Sequence, residues 1–223
     1  MVISGPLPGY GGLDLVPASL QLDDYEIELT GTHGGNPIQS EWAKRTLLAQ
    51  WIEESDVDPR YDYIIFDCPP ATKIVSQNAI AASHGFVVPV VPEAVMEGGA
   101  PHLVSLIENG IDGKLKALAA FGDRRQSYVP DTQLVGLVVT RIKTSRGASG
   151  YSNDHTQHLS QIQRQWGKKL VGSYIEDGVG VSESLSAGVP VYDRDYTQNV
   201  GGRGFSRQFQ AVVSELKKRI DRL

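Results

Sequence analysis

The run Tyr61-Asp62-Tyr63-Ile64-Ile65-Phe66-Asp67-Cys68-Pro69-Pro70 constrains the fold more than any other stretch of these 223 residues. Aromatic and β-branched residues without polar alternation predict a strand buried on both faces, as in the centre of a parallel sheet. The run ends in a carboxylate, and two prolines then forbid further pairing. In an open α/β sheet, ligands lie beyond the carboxyl ends of the strands, so Asp67 falls at the expected site. An acid there can hold a cation and through it a phosphate, or it can merely cap the following turn. The strand alone leaves both roles open.

The remaining pattern fits such a sheet. Further strands are expected at Leu13–Pro17, Gly85–Pro92, Val135–Thr140 and Leu170–Ile175. Ser40 reads as an N-cap, with Leu47, Leu48, Trp51 and Ile52 at helical spacing up to Glu54. Helices are also expected over Ile74–Ala82, Gly99–Asn109, His155–Trp166, Val181–Ala187 (ended by Gly188) and Phe205–Leu223. Strands alternating with helices predict a three-layer α/β fold with a mostly parallel, doubly wound sheet, here as a single domain over 1–223. Residues 1–12 read as an irregular lead-in, and Gly113–Thr132 gives no clear pattern. No apolar run is long enough to span a bilayer. Cys68 is the sole cysteine, which excludes an intrachain disulfide and fits a reducing, cytoplasmic setting. The net charge of -5 argues against a protein coated in positive charge, although a local basic patch is compatible with it.

Tyr61-Asp62, the apolar run into Asp67-Cys68-Pro69-Pro70, Asn78-Ala79, and the strand from Phe86 toward Glu93 come in an order that resembles the ParA/Soj/MinD group of partition and positioning ATPases, the deviant Walker NTPases. Asp-Cys-Pro-Pro points to the ParA/Soj branch. Leu13 to Ser19 resembles the strand that leads toward the Walker B region. Ile175-Glu176-Asp177 through Glu183, then Ala187 to Asp193, resemble the family's base-side loop and the helix after it. The resemblance implies a P-loop NTPase-like fold, ATP and Mg²⁺ as cofactors, and Asp67 as the Walker B carboxylate that holds Mg²⁺ through water. It places Thr140, Arg141, Ile175, Glu176 and Asp177 around the nucleotide base. It further implies a homodimer, a ParB-like activating partner, non-specific DNA, and a nucleoid location if DNA binding is kept.

One part of the family pattern is not met. A phosphate cradle needs consecutive backbone N–H groups at a helix N-terminus and a lysine close by. Gly9-Tyr10-Gly11-Gly12 and Gly31-Thr32-His33-Gly34-Gly35 both lack that lysine. The resemblance therefore implies a domain without its Walker A and switch I portion, whose sequence starts late and which should not hydrolyse ATP alone. The competing expectation is a non-catalytic adaptor that keeps the fold and partner surface. At the other end, Phe205, Phe209, Val212, Val213, Leu216, Ile220 and Leu223 form a stripe expected to pack on the sheet rather than on a membrane. Arg203, Arg207, Lys217 and Lys218, with Arg219 and Arg222, outnumber Glu215 and Asp221 and leave a local +4. In the family such a surface binds DNA phosphates without sequence preference. His155 and His158 are expected to face solvent, since no third ligand lies at metal spacing.

Overall fold

The computed structural model describes residues 2–6, 9–32, 34–69, 72–121, 128–145, 150–191 and 204–223. Its centre is β4 (Gln133–Val139), in which every residue after Gln133 is buried. On one edge β4 pairs in parallel with β3 (Gly85–Val90). On the other it meets the run 170–176, which bridges in parallel at Leu137 and Leu170 and returns two backbone hydrogen bonds. Val171 N–H donates to Leu137 O at 2.8 Å, and Ile175 N–H donates to Val139 O at 3.0 Å. The strand expected at Leu170–Ile175 is therefore not a regular one: the run meets β4 only through an isolated bridge and these two hydrogen bonds.

Helices cover both faces, which is why β4 is apolar throughout. Leu134, Leu137 and Val139 pack with Val88 and Val90 against α4 (Ala94–Ser105) and α6 (Asn153–Trp166). Val138 turns the opposite way, onto Val171, Ile175 and Val212 of α8 (Phe205–Ile220). A third cluster joins Trp42 of α2 (Pro37–Glu54), Ile80 and Ala81 of α3 (Ile74–Ala81), and Leu115 of α5 (Asp112–Ala119). Each such fully buried aliphatic side chain contributes about 1.5–3 kcal/mol.

Several expectations need correction. Helix α2 starts three residues before Ser40: Asn36 is the cap, its side chain accepting from Ile38 N–H at 2.9 Å, and Pro37 opens the first turn. Helix α1 (Leu22–Gly31) was not expected, because only Glu26 of its ten residues is buried and no apolar stripe marks it. Helix α4 runs earlier than expected and passes through a π-turn at Leu106–Ile111 into α5, within the stretch that had no pattern. Leu13–Pro17 yields only β2 (Asp14–Leu15), antiparallel to β1 (Ile3–Ser4) and apart from the main sheet. In α7 (Val179–Ala187) the expected stop is met, with Gly188 in the left-handed region at φ 63°.

The largest correction falls on the opening run. Residues 61–69 are irregular, bend at Asp62 and join no ladder, and Pro70 lies outside the described residues. The cause is the lack of a neighbour: β3 is paired on its β4 edge alone, and no described segment lies against residues 62–69 as a strand. An apolar extended run is a strand only when another backbone takes up its N–H and C=O groups. Here Ile65 is 88% exposed. The run is instead pinned by its two tyrosines. Tyr61 O–H donates to Asp14 of β2, and Tyr63 O–H donates to Asp221 Oδ1, just past α8, at 2.6 Å.

Candidate nucleotide site at the carboxyl ends of the strands

Beyond β4 the chain turns sharply. Thr140 N–H donates to Val90 O at 2.8 Å, which ties the end of β4 to the end of β3. Arg141 then takes φ 54°, a left-handed conformation uncommon for a side chain of its size. This kink turns Ile142 toward the loop at 175–177. Ile142 N–H donates to Ile175 O at 3.1 Å, and Asp177 N–H donates to Ile142 O at 2.9 Å. Arg141 Nε lies 3.9 Å from Asp177 Oδ1, with three quarters of its side chain exposed. Glu176 N–H donates to Gln208 Oε1 of α8 at 2.9 Å, which anchors the loop from behind.

Thr140, Arg141, Ile175, Glu176 and Asp177 are therefore brought together, as expected for two loops that could border a planar ligand. Ile175 is buried, while Glu176 and Asp177 after it are partly exposed. Asp67 is exposed at the end of its run and has no ion pair among the described residues. Desolvation first, and the adjacent Asp67 charge second, push the Cys68 thiol above its ordinary value. A free carboxylate in this position suits an outer-sphere Mg²⁺ ligand. No group of three or more acidic, histidine or cysteine side chains that could bind a metal directly occurs among the described residues. The Gly9–Gly12 cluster forms the turn between β1 and β2, with Leu13 N–H on Tyr10 O at 3.1 Å. The Gly31–Gly35 cluster joins α1 to α2.

Two buried residues that the sequence did not single out as structural anchors stand out. Glu26 is 7% exposed; its Oε1 accepts from Val75 N–H at 3.1 Å and its Oε2 lies 3.4 Å from Lys73 Nζ. It thereby caps α3 and ties α1 to the chain that leaves Asp67. An acid set between Tyr25 and Ile27 was the available signal, masked by the neighbouring Asp23, Asp24 and Glu28. His155, expected to face solvent, is 1% exposed, and its Nδ1 accepts from Lys143 N–H at 3.1 Å. It braces the chain just after Arg141. His158 pairs with Asp154 at 3.3 Å.

At the C-terminal surface the basic residues divide into two groups. Arg219 spends its guanidinium on the carbonyls of Val135, Lys169 and Leu170 and on Glu215. Lys217 donates to Tyr63 Oη and to Asp221, which holds its ammonium pKa well above the ordinary value. The side chains of Arg207 and Lys218 carry no ion pair among the described residues, and Arg203 lies outside them. Val213, expected in the packed stripe, is 59% exposed, whereas Phe205 and Val212 are buried.

Parallel strands, helices on both faces, and loops gathered beyond the strand ends define an α/β fold of the P-loop NTPase kind. The fold matches a structure of Cyanothece McdA with ATP at a TM-score of 0.66, with 18% identity over 97% of this chain and 69% of that one. It also matches cobyrinic acid a,c-diamide synthase from Mycobacterium smegmatis with ADP and magnesium, at a TM-score of 0.51 and 18% identity over 80% of this chain and 65% of that one. A family model described as AAA domain matches residues 8–119, half of the chain, and the chain belongs to that family. Its curated relatives include the chromosome partitioning protein ParA of Caulobacter vibrioides (26% identical over 93% of this chain) and the sporulation initiation inhibitor protein Soj of Bacillus subtilis (28% over 80%). The aligned parts make up 67% and 58% of those two proteins' lengths. Partition and positioning ATPases of the ParA/Soj type are thus its kin.

Proposed function

We propose that this chain is the greater part of a ParA/Soj-like ATPase domain that partitions or positions a genome or other large cargo. The observation that carries the reading is the junction of Thr140–Ile142 with Ile175–Asp177 beyond the carboxyl end of β4. Those loops would border the adenine, with the exposed Arg141 side chain leaving its long contact with Asp177 to lie along its face. Asp67 would hold Mg²⁺ through water. The lysine and glycine-rich loop that cradle the phosphates would come from a segment outside this sequence. ATP bound between two such subunits would supply the phosphoanhydride whose cleavage resets a dimer. Non-specific DNA and a ParB-like activator are the partners expected, with Arg207 and Lys218 as the available phosphate contacts together with Arg203.

Titration with a fluorescent ATP analogue, with and without Mg²⁺, tests this assignment alongside a phosphate-release assay. The chain alone is expected to release no phosphate and to bind nucleotide only weakly, with a further loss in Arg141→Ala. Micromolar, Mg²⁺-dependent binding that disappears in Asp67→Ala would overturn the placing of the phosphate-holding half elsewhere. Wild-type affinity in Arg141→Ala would remove the base-edge role.

A further inference from the structure

Between α1 and α2 lies an open cavity of about 680 Å³, within the range of about 300–1,000 Å³ typical of small-molecule sites. Tyr25 and Leu29 of α1 and Ala43 and Leu47 of α2 make its walls largely apolar. Two charged residues join the lining, Glu28 and Lys44, and they differ in access. The Lys44 ammonium is shut off from solvent and lies 3.7 Å from Glu41 Oε1, so its charge is already answered within the protein. The Glu28 carboxylate is exposed and has no ion pair among the described residues. The charge open to a ligand is therefore negative.

Folding makes no use of that charge. Helix α1 carries four acids and no base. Glu26 is buried and lies 3.4 Å from Lys73 Nζ. Asp23 and Asp24 occupy the first turn, where the positive end of the helix dipole favours them. Glu28 stands toward the opposite end, where the dipole is negative, and one turn after Asp24, a like charge at i+4. Both surroundings disfavour a carboxylate. An acid set against its local preference, without a cation, at an apolar cavity is one whose counter-charge comes from outside the chain.

We propose that this cavity binds a small organic cation with an apolar body. The body would lie between Leu29, Ala43 and Leu47, and the cationic group would pair with Glu28. Tyr25 lies one turn before Glu28 on the same helix face, and its aromatic ring adds attraction for a cation. An uncharged molecule of the same shape would gain the wall contacts but not the ion pair, and a carboxylate would be repelled by Glu28. The site uses none of the residues assigned above to nucleotide, Mg²⁺ or DNA, so its success or failure is independent of that reading.

Calorimetric titration of the whole chain with hexylammonium chloride, 1-hexanol and sodium hexanoate, each in low-salt buffer, provides the test. Hexylammonium is expected to bind saturably, about threefold tighter than hexanol and about tenfold tighter than hexanoate, as a partly exposed ion pair and its reversal allow. Added salt should shrink both ratios. Glu28→Gln keeps the shape of an exposed side chain and removes its charge, so it should erase both ratios without loss of stability. Ala43→Leu, which fills the cavity, should weaken all three probes. Equal affinities in the wild-type chain, or no saturable hexylammonium binding, overturn the proposal without reference to any variant. Unchanged ratios in a folded Glu28→Gln protein overturn it as well.

Discussion

Asn78 of α3 bonds both the Lys44 carbonyl and the Leu48 N–H, which lie one turn apart in the continuous helix α2. Its Nδ2 donates to Lys44 O at 2.7 Å and to Ile74 O at 2.9 Å, while its Oδ1 accepts from Leu48 N–H at 3.2 Å. The buried Ala79 beside it lets the two helices approach. Truncation to Asn78→Ala should cost about 1–3 kcal/mol, because buried partners lose their bonds. Asn78→Asp should cost more, since its second oxygen would face the Lys44 and Ile74 carbonyls. Urea unfolding of the three proteins measures the order. A second residue-scale test concerns Asp14. The Tyr61 hydrogen bond is the main cause holding its carboxyl below the ordinary value, and the same bond raises the Tyr61 phenol. The lowered acid contributes fully above its unfolded value of about 3.9 and loses that contribution as pH falls through the folded value. The raised phenol contributes fully below about pH 10 and loses its share as pH rises through its folded value. The difference in Tm between wild type and Tyr61→Phe should therefore be flat across neutral pH and shrink toward both extremes.

At the scale of elements, α8 comes close to two glycines, and at Gly180 a side chain could enter only if the Phe205 ring moved. A Cβ at Gly180 of α7 would stand 2.8 Å from the Phe205 ring, and one at Gly136 would stand 2.9 Å from Arg219 Nη1. Gly180→Ala should destabilise by about 1–3 kcal/mol through overpacking against that ring. A thermal melt is sufficient to read it. The division of the basic residues makes a separate prediction about DNA. Replacing both Arg207 and Lys218 with alanine should lower the slope of log affinity against log salt by roughly two, if each neutralises one phosphate. Lys217→Ala should leave the slope nearly unchanged, because that ammonium is committed to Asp221 and Tyr63. Filter binding to random duplex at several salt concentrations separates these outcomes. Elements with strong local signals were legible in the sequence. β4 announced itself by being apolar on both faces, and α7 by its glycine stop. Helix α1 was not legible because its sole buried side chain is an acid whose partners, Val75 and Lys73, lie far along the chain. Arg141 was set beside the base only by the family resemblance, and its left-handed backbone was not legible, because it depends on the loop at 175–177.

For the whole molecule, the sequence was misleading where a residue's fate depends on another strand. Tyr61–Pro70 has every local mark of a central strand, yet its backbone finds no partner strand among the described residues. Its amides should accordingly exchange hydrogen early. Ile64, Ile65 and Phe66 are expected to exchange orders of magnitude faster than Leu137 and Val138 in β4, as mass spectrometry of exchanged peptides would reveal. Ile65→Lys should reduce self-association seen by light scattering, since it charges an exposed apolar edge. The two phenols that hold this run have a wider consequence. Tyr61 grips the hairpin at the beginning of the chain, and Tyr63, only two residues later, grips the turn that closes it. The beginning and end of the sequence are thus fastened to one short bar that leads straight into Asp67. An affinity tag or fusion placed at either terminus would therefore pull on the same short stretch that leads to Asp67.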